Sequence, residues 1–149
     1  MSKTANNVLV LVLPAIALLF LIQMVPYGKN LVNPPVINEP IWDSAETRAL
    51  AKRACFDCHS HETVRPRYSM FAPISWLIQW DVDRGRDELN FSDWRNGARE
   101  AERADKIRGE ITGGEMPPLP YRMIHPTARL TESERQLLIK GLNKTTSGR

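Results

Sequence analysis

The chain has 149 residues and a formal net charge of +3, from 20 basic and 17 acidic side chains. That length leaves room for one compact domain once an apolar leader is set aside, and excludes two full ones. No Lys/Arg stripe marks a nucleic-acid surface, so no nucleic-acid partner is expected, and two cysteines are too few for a disulfide framework.

Residues 1–7 read as a short cytoplasmic N-terminus. From Val8 to Val25 the chain runs VLVLVLPAIALLFLIQMV without a charge, about the length that crosses a ~30 Å hydrocarbon core at ~1.5 Å per residue. The expectation is a transmembrane anchor at 8–25. The run exceeds a ~7–15-residue signal-peptide core and no A-x-A-like cleavage site precedes Tyr27, so the anchor is expected to stay uncleaved. Residues 26–42, with Pro26, Pro34, Pro35 and Pro40, read as a semi-rigid tether, either free or docked. The domain is expected over 43–143, with a tail at 144–149.

Within it, Asp43 and Glu46 fit a capping pair, and Thr47, Leu50, Ala51 and Ala54 recur at helical spacing, so a short helix leads into Cys55. A second helix opens at Pro73, with Ile74, Leu77, Ile78 and Val82 as its core face and Trp76 and Trp80 beside them. A third starts at Ser92 as N-cap, passes Trp94, Ala98, Ala101, Ile107 and Ile111, with Gly97 as a potential break, and stops at Gly113 and Gly114. Thr131-x-x-Glu134 caps the last, which buries Leu137, Leu138 and Leu142. No alternating strand pattern occurs, so the expected class is all-α.

The chemistry concentrates in Cys55-Phe56-Asp57-Cys58-His59. Cys-x-x-Cys-His places two thiols where they can add to the two vinyl groups of one haem, with the next imidazole beneath the iron. One covalent haem c is therefore expected, with His59 as proximal iron ligand. A thioredoxin-like dithiol would need a βαβ setting, and zinc on Cys55, Cys58, His59 or His61 would crowd its ligands into seven residues. Met116, framed by Gly113, Gly114, Pro117 and Pro118, is the expected distal ligand, with His125 as the alternative. Arg65, Arg67, Tyr68 and Trp76 are candidate contacts for the haem carboxylates, set against a solvated basic turn. His61 reads as a surface or propionate-side histidine, and Met70 and Met123 as core.

The stretch RACFDCHSHETVRPRYSMFAPISWLIQWDVDRGRDELNFSDW, continued by GEMPPLPYRMIHPTARLTESE, resembles the bacterial haem-binding domain family of single-CxxCH proteins with an N-terminal anchor. That family is thought to bind haem c, which supports Cys55, Cys58 and His59. It usually has Asn at the place of His61 and tryptophans at those of Arg65 and Arg67, so this face is more basic here. More distantly, the plan is similar to class I cytochrome c. The resulting expectation is a cytochrome c-like helical domain around one haem. Its role is single-electron transfer to a redox partner protein or complex, without enzyme activity. Because haem is attached outside the cytoplasm, the domain is placed on the periplasmic side of a bacterial inner membrane, anchored through the N-terminal helix. The rivals are a five-coordinate haem gas or redox sensor and a peroxidase-like haem protein.

Overall fold

A computed structural model describes residues 3–94 and 98–147. Among them the chain is helical, with α1 (Lys3–Ile22), α2 (Ala45–Ala54), α3 (Phe56–His59), α4 (Ile74–Glu88), α5 (Ala98–Thr112), α6 (Leu119–Ile124) and α7 (Glu132–Ser147). Short 3-10 turns occupy Arg67–Met70 and Pro126–Ala128, and no strand forms beyond an isolated bridge between Asn38 and Asp93. The chain divides into two units, Met1–Val32 with Arg65–Asp81, and Asn33–Val64 with Val82–Arg149.

In the first unit the expected transmembrane helix at 8–25 is not found, because no helix among the described residues is long and apolar enough to cross a membrane. Helix α1 starts at Lys3 and stops at Ile22, so its apolar run from Val8, past Asn6 and Asn7, spans about 22 Å at ~1.5 Å per residue, short of a ~30 Å hydrocarbon core. Past that end, Gln23 clasps the backbone of Ala72, its amide donating to the carbonyl at 2.9 Å and accepting from the N–H at 3.0 Å. Gly28 (φ +76°) lies so close to Ser75 that a Cβ there would meet the Ser75 carbonyl oxygen at 2.1 Å.

The second unit is built on a core of Leu50, Phe56, Leu89, Phe91, Trp94, Ile111, Leu138 and Leu142. Ser44, not Asp43, caps α2: its hydroxyl accepts from Thr47 N at 3.1 Å, since the shorter side chain sits one residue nearer the orphan amides. Thr131 and Glu134 form the expected reciprocal box at α7, at 2.7 and 3.3 Å. Helix α2 crosses α7 with Thr47 against Gly141, where any Cβ would lie 2.0 Å from the Thr47 hydroxyl oxygen. The segment from Asn33 is docked here, with Ile37 N and Asn38 N donating to Ser92 O at 2.8 and 3.1 Å and Trp94 N donating to Asn38 O at 2.9 Å.

Several expected placements change. Ser92 is no N-cap: it is buried, its hydroxyl accepts from His61 N, and α5 is assigned only from Ala98. The Gly97 break and the side chains of Ala98 and Ala101 lie outside the described residues. On α4 the buried positions are Ser75, Val82 and Gly85, whereas Ile74 and Leu77 are exposed. Of the expected core face, Val82 is buried and Ile78 half-buried, so the expectation holds only in part. Leu137, Met70 and Met123 are likewise exposed.

Candidate functional site

Helix α2 delivers Cys55 directly, its N–H donating to Ala51 O at 2.8 Å, and the chain winds one further turn through α3. Cys58 N and His59 N both donate to Cys55 O, at 3.2 and 2.9 Å, so two thiols and an imidazole emerge from a single turn. Phe56 points inward from the same turn, 1% exposed. It stacks on Phe91 at 5.5 Å and lies 6.1 Å from Trp42, with the Arg48 guanidinium 5.5 Å over its ring. Arg48 is held by a bidentate bond to Glu39 at 2.8 and 2.6 Å, and that bond keeps the Glu39 carboxyl below its ordinary range. Phe56 is thus the anchor of the turn in the core, while Cys55, Asp57, Cys58 and His59 around it are half-buried.

Cys55 and Cys58 are half-buried and not joined in a disulfide. Burial, with the neighbouring Cys58, pushes the Cys55 thiol up to about 12, so it stays protonated near neutral pH. The His59 ring meets the Leu89 carbonyl through Nδ1 at 3.0 Å. A carbonyl only accepts, so Nδ1 carries the proton and Nε2 keeps its lone pair. Burial lowers the His59 pKa and favours this neutral ring. Gly85 on α4 comes so near that a Cβ there would lie 2.5 Å from Cys58 O.

Asp57, between the two cysteines, is bonded on several sides. Its carbonyl accepts from Thr63 Oγ1 at 2.7 Å, its Oδ1 from Val64 N at 2.9 Å and its Oδ2 from the Tyr121 hydroxyl at 2.6 Å. Burial first, and then this bond to Asp57, raise the Tyr121 pKa. The Tyr121 ring stacks on His125 at 4.2 Å with 18° between planes. Upstream, Gly114 (φ +78°) turns the chain after α5, and Met116 N donates to Glu110 O at 3.1 Å. The Met116 side chain is 37% exposed. It lines a cavity of about 270 Å³ together with Ile111, Leu119, Arg122, Met123 and Arg129.

The sequence-selected residues thus separate. Cys55, Cys58 and His59 share one turn, and His125 connects to it through Tyr121 and Asp57. Met116 lies in the same unit, on the segment that leads into α6. Arg65, Arg67, Tyr68 and Trp76 belong to the other unit. There Arg65 donates through Nη2 to Gln79 Oε1 at 2.5 Å, while its Nη1 and the Trp76 Nε1 are buried donors without an acceptor. Arg67 and Tyr68 are exposed. His61 is held by Pro35 O at 2.7 Å and by the Asn90 side-chain amide at 3.0 Å. Among the described residues no three His, Cys, Asp or Glu side chains group as a metal site. Sequence reasoning passed over Asp57, Gly85 and Tyr121. Only Asp57 carried a signal, its place inside the motif.

These residues suit a haem: two thiols not joined in a disulfide, and a neutral imidazole whose Nδ1–H is committed to a carbonyl, the state in which a histidine donates through Nε2 to a metal. A protein-family model described as "Haem-binding domain" matches residues 17–144. No curated protein and no solved structure matches the chain.

Proposed function

The chain belongs to the haem-binding domain family, and on that basis we propose that it is a monohaem c-type cytochrome that transfers single electrons to a redox partner protein. Haem supplies the one-electron Fe(III)/Fe(II) couple. The chain supplies the rest. Cys55 and Cys58 would hold the haem by thioether bonds, and His59 Nε2 would be the proximal donor. The Nδ1–H bond to Leu89 O fixes the ring's tautomer and raises its basicity. That bond, within Cys-x-x-Cys-His, is the observation that carries the reading. Met116 is the distal donor of choice, since a thioether raises the iron potential relative to a second histidine. The His125 ring is engaged with Tyr121, which favours Met116 over it.

The test is to express the full chain with haem-attachment machinery and to record visible spectra, oxidised and reduced, with and without carbon monoxide. Haem that survives denaturation on the chain, and is lost in Cys55→Ala/Cys58→Ala, is the expected result for covalent attachment. A weak long-wavelength band of the thioether–ferric bond, absent in Met116→Ala and kept in His125→Ala, is expected for His/Met ligation. A high-spin spectrum with ready carbon monoxide binding would overturn the carrier reading in favour of a sensor or peroxidase-like protein.

A further inference from the structure

We propose that Tyr121 is a positioning residue that ties the Met116 segment to the haem-attachment turn through the Asp57 carboxylate; this rests on the assignment of Cys55, Cys58, His59 and Met116 just given. Helix α6 has six residues and buries none of them, with Leu119, Met123 and Ile124 all exposed. A helix this short, without a buried face, has little stability of its own, so directional contacts must fix its position. At its C-terminal end Arg129 holds the Arg122 carbonyl at 2.8 Å and the Met123 carbonyl at 3.3 Å, and Arg122 reaches back to Gly114 O at 3.3 Å. Those bonds tie α6 to its own neighbours in the chain. The Tyr121 hydroxyl reaches elsewhere, to a carboxylate inside the Cys-x-x-Cys turn.

The geometry of that bond is strong. At 2.6 Å it has the length of a charge-assisted O–H···O⁻ bond. Asp57 cannot swing toward Tyr121 or away from it, because Val64 N holds its other oxygen and Thr63 holds its carbonyl. On the far side, the His125 ring against Tyr121 sets the direction of the phenol. The chain from Asp57 through Tyr121 to His125 is thus a strut between the turn that carries the proximal histidine and the segment that carries Met116. Without the hydroxyl, α6 keeps its bonds to its own neighbours but loses this bond to the cysteine turn, and the thioether bond of Met116 to iron weakens.

The test uses the full haem-loaded chain and Tyr121→Phe, which keeps the ring and its stacking on His125 and deletes one oxygen. We expect unchanged haem per chain, a weakened thioether–ferric band, and carbon monoxide affinity raised about ten- to a hundredfold, the worth of one hydrogen bond to a charged group. Asp57→Asn keeps an acceptor for Val64 N but removes the charge, so it is expected to shift both readouts the same way by less. It decides the matter should Tyr121→Phe fail to load. A parent chain that shows the band, loses it in Met116→Ala and keeps it with unchanged carbon monoxide affinity in the strut variants overturns the strut alone. A parent chain without the band overturns the Met116 assignment and the strut with it.

Discussion

Gly85→Ala probes the contact between α4 and the cysteine turn. The new methyl would sit 2.5 Å from Cys58 O and 3.0 Å from Cys58 C and Cβ, so helix and turn must separate by about 0.5–1 Å to reach ordinary contact. Neither side yields easily. The turn is stitched to the end of α4 and the loop after it by Phe91 N to His59 O at 2.8 Å, His59 Nδ1 to Leu89 O at 3.0 Å and Arg86 Nε to Ser60 O at 2.9 Å. Overpacking costs about 1–3 kcal/mol and a stretched hydrogen bond about 0.5–1.5 kcal/mol, against a gain of about 1 kcal/mol in helix propensity. The expected net loss is ~2 kcal/mol, or roughly 8–16 °C in melting temperature for a unit of this size. Thermal unfolding followed by far-UV circular dichroism reads the stability, and haem per chain reads the site, which should also fall. Gly109→Ala in α5 is the control: nothing lies within 4 Å of its Cβ, and up to about 1 kcal/mol of stabilisation is expected. A Gly85→Ala chain that melts within ~2 °C of the parent and loads haem equally would refute the reasoning.

Gly141→Ala should destabilise the α2–α7 crossing by about 1–3 kcal/mol, because its Cβ would meet the buried, β-branched Thr47 at 2.0–2.8 Å; Thr47→Ala should relieve much of it in a double-mutant cycle. The Glu134 carboxyl is lowered from 4.5 to about 2, mainly by Thr131 N and the Arg53 side chain. The folded chain then binds fewer protons there than the unfolded one, so this stability is present above pH 4.5 and is lost as pH falls through about 2. Glu134→Gln should flatten that limb of a denaturation-versus-pH series, and an unchanged limb would refute the assignment. In the haem-free folded chain the protonated Cys55 should be alkylated by iodoacetamide on the order of a hundredfold more slowly near neutral pH than in the denatured chain. Equal rates, read by mass spectrometry of the labelled peptide, would show that burial does not protect it.

What the sequence alone determined was local. The helical class follows from apolar spacing, and the caps at Thr131 and Gly114 follow from side-chain and backbone chemistry within one turn. The haem signal in Cys55-Phe56-Asp57-Cys58-His59 is likewise contained in five adjacent residues. Non-local relations were not legible. The apolar leader promised a membrane span, yet α1 ends at Ile22 and Gln23 spends its amide on Ala72, distant in the chain. The larger side chains of α4 suggested its core face, but of these Val82 is buried while Ile74 and Leu77 are exposed. Tyr121 carried no sequence mark at all. Its partner stands 64 residues earlier, and only the packing of α6 beside the cysteine turn brings a phenol to a carboxylate. A hydrogen bond depends on where two atoms end up in space, and for residues so far apart that is decided by tertiary structure.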